Sequence, residues 1–405
     1  MSNDLLSAHT ERPANRTPGV SRARAAWLVI LAGLVASWML GGCSGRHQEG
    51  REGWQRLWVD EQVTLHHGMT WIRGVRADGR RVAGPADGRP ELLRADLFND
   101  GNEQATATLQ GPGVTLEWAL EPGQVLPIEA PLGNGSYLLR GSAGAVLGAP
   151  RVGRPLKRPR TVVCILVDTL RADHVQPELT PGIVESFAEG RRWHAAVANA
   201  PWTLPSTASF FTARPVLDLS TPSGDLIGVP SGLPTWPQQL SAAGFATGAV
   251  VANYSVHALN GYATGFDTFV VPDGHGSANH PDASWVISRA RTWLETRSGE
   301  DRCLYLHLMD PHEPYRSHSE PHAQAPPLDQ LAHRERVATL AEATLLRRLY
   351  RGEVRHVDEA LSPFLAELPD DAVVALTADH GESLGEHGSW GHGLDLYQSA
   401  LAVPL

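Results

Sequence analysis

Two textures of hydrophobic patterning divide this chain. From Trp58 to about Arg154, short runs alternate apolar and polar residues ("EQVTLHHGMTWI", "ELLRADLFN", "ATATLQG", "VTLEWAL", "GSYLLRG") and are separated by Gly, Asp and Asn turns. Period-two alternation predicts strands with one wet and one buried face, hence a small all-β, sandwich-like domain over residues 58–154. That stretch holds no convergent group of metal-type ligands, so it reads as a spacer or recognition module. The basic, proline-containing "RVGRPLKRPR" then reads as a linker. Beyond it the apolar runs become continuous: "TVVCILVD", "ATGAVVAN", "CLYLHLMD" and "DAVVALTAD". Such runs fit parallel strands buried on both faces, ending in a polar residue. Between them lie helical segments, the clearest with Leu346, Tyr350, Val354, Val357, Leu361 and Leu365 spaced by three or four. Strands alternating with helices predict an α/β fold over residues 155–405, a doubly wound, mostly parallel sheet that binds ligands beyond its strands' carboxyl ends. The last residues, "LAVPL", fall within an apolar segment, so further strands beyond Leu405 are expected.

The N-terminal segment changes where this molecule is expected to work. Arg22 and Arg24 precede "AAWLVILAGLVASWMLGGC", an apolar run of signal-peptide length closed by small residues and a cysteine. Its end resembles the lipobox of bacterial lipoproteins, with Leu40, Gly41 and Gly42 ahead of Cys43. The resemblance implies a signal segment over residues 1–43, acylation of Cys43, and a linker over residues 44–57. A retained membrane-spanning anchor is the alternative, for which the run is short. Either way the chain is expected to be exported to the periplasmic side of a bacterial membrane; acylation would hold it by lipid chains. Ser44 after the cysteine favours the outer membrane. With 405 residues there is room for two or three domains, and a net charge of -10 supplies no basic field for nucleic acid. Three cysteines, Cys43, Cys164 and Cys303, are too few for a disulfide framework.

Candidate chemistry gathers at three predicted strand ends: Asp168, then "HLMDPHEPY", then "TADHGESLGEHGSWGHG". Their convergence on one sheet edge points to a metal centre. Asp379 and His380 are adjacent, and Gly381 permits a sharp turn after them. Carboxylates with an imidazole suit Mn²⁺ or Zn²⁺, whereas an all-oxygen shell suits Ca²⁺ or Mg²⁺, so one divalent metal ion of open identity is expected. In "NAPWTLPSTASFF", Pro205 fits the first helical position and the hydroxyls ahead of it fit the N-cap, framing a helix N-terminus that favours anions. Capping is one role open to Thr203 and Ser206. The other is nucleophilic attack by Thr203, its hydroxyl acidified by a divalent cation. Trp202 reads as a packing residue.

These blocks, with "TWPQQLSAAGFATGAVVAN" and "YRGEVRHVDEAL", occur in the order seen in the sulfatase branch of the alkaline phosphatase superfamily, and the resemblance covers residues 160–405. It implies an alkaline phosphatase-like sheet, a divalent metal, and cleavage of sulfate or phosphate esters through a covalent intermediate. By motif, Asp168, Asp379 and His380 match metal ligands, and Thr203 matches the nucleophile that also touches the metal. His312 matches the histidine that contacts the transferred group, and His392 stands where many relatives place a lysine or histidine facing the ester oxygens. His387 is a further candidate for that task, His307 is expected on a buried strand, and Arg171, Asp173 and His174 are expected to support the ligands. Two departures matter. Classical sulfatases carry Cys or Ser in Cys-x-Pro-x-Arg, converted to formylglycine; here Thr203, Leu204, Pro205, Ser206 and Thr207 occupy that run, and threonine cannot undergo the conversion. Thr169 also stands where a second metal-binding aspartate is usual. The pattern is therefore similar to relatives with a threonine nucleophile, which act on phosphodiesters and transfer phosphoglycerol or phosphoethanolamine groups. The expected partner is a small-molecule, glycan or lipid ester. Two alternatives stand beside this: an exported lipoprotein that binds a metal or anion without catalysis, and a sulfatase preferring aryl sulfates.

Overall fold

The computed structural model describes residues 53–58, 63–67, 70–219, 228–272, 280–316, 318 and 326–405. The signal segment and Cys43 lie outside the described residues. Strands are β1 (Trp54–Arg56), β2 (Val63–His67), β3 (Thr70–Arg76), β4 (Arg80–Ala83), β5 (Glu91–Asn99), β6 (Ala105–Gly111), β7 (Val114–Leu120), β8 (Val125–Leu132), β9 (Ser136–Gly141) and β10 (Ala145–Gly153). They continue as β11 (Thr161–Val167), β12 (Ala246–Val251), β13 (Thr268–Val270), β14 (Arg302–Leu308), β15 (Val373–Thr377), β16 (Ser383–Leu384) and β17 (Trp390–Gly391). The helices are α1 (Pro181–Ser186), α2 (Thr203–Thr212), α3 (Trp236–Ala242), α4 (Ala283–Thr296), α5 (Leu328–Ala332), α6 (Leu340–Glu367) and α7 (Gln398–Leu401).

The four continuous apolar runs form β11, β12, β14 and β15, and they pair in parallel in the order β15-β11-β14-β12-β13. Every residue of β11 and β12 is buried, which is why neither shows alternation in sequence. Successive side chains still leave on opposite faces. On one face Val163, Ile165, Leu304 and Leu306 join a core with Val286, Ile287 and Ala290 of α4 and Leu346, Tyr350, Val354, Val357 and Leu361 of α6. On the other, Tyr305 meets Phe211 of α2 at 5.0 Å between ring centroids and Trp236 of α3 at 6.2 Å. The sheet is therefore covered on both sides. Helix starts are set locally: Thr339 with Glu342, and Thr235 with Gln238, form capping boxes, and Asp282 caps α4.

The β-rich segment is a sandwich, as its alternation predicts: Leu93, Leu97 and Val75 on one sheet share a core with Ala107, Leu109 and Leu139 of the four-stranded sheet β4-β9-β6-β7. One of its sheets, however, is not separate. β3 pairs antiparallel with β13, so that β3, β10, β5 and β8 extend the parallel sheet into one of eleven strands. The stretch read as a linker is also corrected. Arg151, Val152 and Gly153 belong to β10, and Arg151 is buried, where its guanidinium donates to the Asp267 carboxylate at 2.6 Å and to the Phe245 carbonyl at 2.9 Å. Basic composition suggested solvent; a buried carboxylate partner explains why the arginine is inside. Arg56 pairs with the same Asp267, Arg297 pairs with Asp96, and Arg94 with Glu300 at 3.2 Å. These ion pairs join the sandwich to the parallel sheet.

Removing one member of a buried pair leaves an uncompensated charge. Asp267→Ala should therefore lower unfolding free energy by about 3–5 kcal/mol in urea titrations. A loss under about 1 kcal/mol would mean that these guanidinium groups are solvated rather than paired.

Candidate active site

Parallel strands deliver their C-terminal residues to one edge, and there the titratable side chains collect. Asp168 directly follows β11, Asp379 and His380 follow β15, Asn253 follows β12, and His307 is near the end of β14. Asp168, Asp379 and His380 are all buried, and their ligand-type atoms lie within 4.8 Å of one another. His380 Nδ1 is 2.9 Å from the Gly381 carbonyl, which assigns the ring proton to that nitrogen. The lone pair of Nε2 then faces Asp168 Oδ1 at 3.6 Å and Asp379 Oδ2 at 3.4 Å. Those two carboxylate oxygens are buried and have no hydrogen-bond partner among the described residues.

Three electron-rich atoms aimed at one another in a dry site repel unless a positive charge lies between them. Burial, and next the charge of Asp168, push the Asp379 carboxyl well above the usual carboxylate range. Burial, and then the neighbouring His392, push His380 down to about 3, so a protonated imidazole does not supply the charge. Burial opposes ionisation of Asp168, yet the hydrogen bond from His307 and the surrounding imidazoles hold its carboxyl below the usual range. The arrangement fits a divalent cation held by Asp168, Asp379 and His380.

The remaining lone pairs are tied down. Asp168 Oδ2 accepts from Asn253 Nδ2 at 2.9 Å and from His307 Nε2 at 3.2 Å, while Tyr305 donates its hydroxyl to His307 Nδ1 at 3.0 Å. Asp379 Oδ1 accepts the backbone N–H groups of His380 at 2.9 Å and Thr169 at 3.3 Å. Thr169 has a φ of 58°, a left-handed conformation unusual for a β-branched residue, and its carbonyl accepts from the Tyr350 hydroxyl at 2.8 Å. That backbone strain aims the Thr169 N–H at Asp379. Gly381 does not take the left-handed φ a sharp turn would need; a Cβ there would stand 2.1 Å from the Ser399 carbonyl oxygen, so close approach is what requires glycine.

Thr203 Oγ1 lies 3.4 Å from both Asp168 Oδ2 and His380 Nε2. It is the first residue of α2, with Trp202 as N-cap in extended conformation and no side-chain cap. The helix thus begins two residues earlier than the proline suggested, and Pro205 sits within its first turn, where its missing N–H costs nothing. Capping is not what either hydroxyl does. Thr203 faces the cluster, and Ser206 Oγ donates to the Asp379 carbonyl at 2.5 Å, which ties the helix to the ligand loop. Tyr262 donates to the Leu204 carbonyl at 2.7 Å. Trp202 is 42% exposed rather than packed in the core.

His392 and His312 complete the group. The His392 ring is centred 4.5 Å from that of His380 and 4.8 Å from that of His312. Burial disfavours charge on His392, but the Glu382 carboxylate, 3.0 Å from its Nδ1, outweighs this and raises it to about 9. Arg171 donates to the Glu382 carbonyl at 2.9 Å and pairs with Asp173 and Glu386, each at 2.7 Å, while His174 pairs with Asp173 at 2.7 Å. His387 stacks on Tyr397 at 4.0 Å. Sequence reading assigned no part in the site to Asn253, Glu382, Tyr262, Tyr305 or Tyr350, the last read only as one of an apolar helix stripe. Asn253 had a signal, as the polar end of an apolar run like the one ending at Asp168; the others had none.

Residues 160–405 match the family model described as Sulfatase. Solved structures similar to this chain include the C-terminal periplasmic domain of EcEptC from Escherichia coli in complex with Zn, at 15% identity and TM-score 0.46, covering 62% of this chain and 72% of that one. Another is the integral membrane protein lipooligosaccharide phosphoethanolamine transferase A from Neisseria meningitidis, at 18% identity and TM-score 0.45, covering 62% of this chain and 48% of that one. A 2-O GAG sulfatase aligns at 16% identity and TM-score 0.44, over 61% of this chain and 63% of that one. Among the described residues no helix is long and apolar enough to cross a membrane.

Neutralising one carboxylate relieves the repulsion but removes a candidate ligand. Under chelating conditions Asp379→Asn should unfold at a higher temperature than the chelated wild type, whereas its gain on adding Mn²⁺ or Zn²⁺ should shrink. Equal midpoints and equal gains in thermal unfolding would show that the cluster does not bind the ion.

Proposed function

This chain belongs to the sulfatase family through residues 160–405, and on that premise we propose that it is a metal-dependent hydrolase or transferase of sulfate or phosphate esters, with Thr203 as nucleophile and phosphodiesters as the favoured class. The observation that carries the reading is the Thr203 hydroxyl, 3.4 Å from two members of the carboxylate–imidazole cluster at the start of an uncapped helix.

Asp168, Asp379 and His380 would hold the cation together with the Thr203 oxygen. When bound, the cation lowers the pKa of a hydroxyl beside it and offsets charge on the oxygens of the transferred group. Thr203 Oγ1 attacks the phosphorus or sulfur atom in line with the departing alkoxide. With the one Nε2 lone pair of His380 turned to the cation, the acceptor left in reach of the Thr203 proton is Asp168 Oδ2, 3.4 Å away. The N–H groups of Thr203 and Leu204, which have no side-chain cap, face the N-terminal end of α2 and favour the equatorial oxygens of the group being transferred. His392, held by Glu382, whose carboxylate favours the charged imidazole, and His312 beside it steady those oxygens or protonate the leaving alkoxide. The threonine ester is resolved by a second attack at the same atom, from water in a hydrolase or from an acceptor hydroxyl in a transferase. A threonine has no geminal hydroxyl through which to expel sulfate, which favours phosphodiester chemistry over that of classical sulfatases. The reading includes export and lipid attachment at Cys43, where such an enzyme meets glycan or lipid esters at a membrane surface.

Side-by-side assays of the metal-loaded chain on a phosphodiester, a phosphate monoester and an aryl sulfate test this. The phosphodiester should turn over fastest. Thr203→Ala should lose at least about a hundredfold in rate while Asp168, Asp379 and His380 still retain metal, and Thr203→Ser should keep measurable activity. A fully active alanine variant would remove the nucleophile from the mechanism. A folded, metal-loaded wild type inert on all three esters would favour the non-catalytic binding protein.

A further inference from the structure

A second group of ligand-type side chains lies outside the cluster at Thr203. Asp310, two residues beyond β14, is 1% exposed, and its Oδ1 accepts the Ala283 N–H that opens α4 at 3.0 Å. Its Oδ2 is buried and has no hydrogen-bond partner among the described residues. Oδ1 also lies 3.6 Å from His356 Nε2, on α6, and that nitrogen is likewise buried without a partner. His318 stacks on His356 with ring centroids 4.0 Å apart and planes 9° from parallel. Ligand atoms of Asp310, His318 and His356 all fall within 4.8 Å of one another.

Behind them lies a second carboxylate. Glu353, one turn before His356 on α6, is fully buried; its Oε2 is 2.7 Å from His318 Nε2, and its Oε1 accepts the Arg316 N–H. Two buried carboxyls in one pocket disfavour each other's charge. Burial, and then Glu353 nearby, raise Asp310 to about 7, and burial raises Glu353 as well. His318 is pushed up by its hydrogen bond to Glu353, while burial and the charge of His318 push His356 down. His356 Nε2 and Asp310 Oδ2 are each buried without a partner, and Asp310 Oδ1 lies 3.6 Å from that nitrogen, so one pocket holds two open donor atoms fit for a cation.

We infer that Asp310, His318 and His356, with Glu353 behind them, form a second divalent-cation site, of the mixed imidazole–carboxylate kind that suits Zn²⁺. Its ligands come from two places in the chain. Asp310 and His318 bracket the segment that carries His312, and His356 belongs to α6, whose apolar face is packed into the core beneath the sheet. A cation here cross-links that segment to the helix and limits how far His312 moves. The site is independent of the one at Thr203, because it shares no ligand with it.

Metal content of the full chain, loaded with Zn²⁺ and dialysed, decides the matter, with Co²⁺ absorption as a second readout of the ligand set. Wild type should retain roughly two cations per chain, and His318→Gln/His356→Gln roughly one, with the weaker site's Kd raised about a hundredfold. The side chains of His318 and His356 are 27% and 21% exposed, and circular dichroism checks that the variant is folded. His318→Gln alone is the fallback if the double variant is not. Asp379→Asn should keep the second cation and lose the first. If the histidine variants retain as much metal as wild type, with an unchanged Co²⁺ spectrum, the second site is refuted while the Thr203 cluster stands. If instead only Asp379→Asn matches wild type, the Thr203 cluster falls and this site survives.

Discussion

A dry pocket cannot hold two carboxylates and an imidazole lone pair facing one another without something positive among them. Asp168 Oδ1, Asp379 Oδ2 and His380 Nε2 are in that position, and the neighbouring groups make it worse rather than better. Asn253 and His307 spend their donors on Asp168 Oδ2, the backbone spends its own on Asp379 Oδ1, and the His380 proton goes to Gly381. Each of these bonds fixes a side chain's orientation while leaving the inward lone pair free. The inward lone pairs are therefore a built feature, at the expense of apo stability.

The fold explains how such a cluster is kept rigid. Parallel pairing puts the ends of β11, β12, β14 and β15 side by side, so side chains far apart in sequence are neighbours across a few ångströms. α2 is anchored to the ligand loop through Ser206 and to the segment near Gly261 through Tyr262, which sets the height of Thr203 above the sheet. The β sandwich continues the sheet on its far side and is held there by buried arginine–carboxylate pairs.

Much of this was legible from residues alone, for identifiable reasons. The four parallel strands announced themselves because burial on both faces demands unbroken apolar runs, and Asp168 and Asp379 stood out as charges ending such runs. β13, of three residues, was too short to show a pattern. The end of β10 was hidden in a basic stretch read as a linker, since Arg151 is inside only by virtue of Asp267, which is distant in sequence. Pro205 pointed to a helix start two residues late because a first turn tolerates proline at any of its positions. Glu382 was invisible for a different reason: its value lies in holding His392 across the β16–β17 pair, a tertiary relation that no local period encodes.

The account's central claim is that a divalent cation occupies the space between Asp168, Asp379, His380 and the Thr203 hydroxyl. Anomalous diffraction at the absorption edge of the bound metal, from crystals of the metal-loaded full chain, tests it most directly. The account predicts a peak within coordination distance of one oxygen from each aspartate, His380 Nε2 and Thr203 Oγ1. A well-ordered structure with no peak there under saturating metal, or with the Thr203 side chain turned away from the peak, would contradict it.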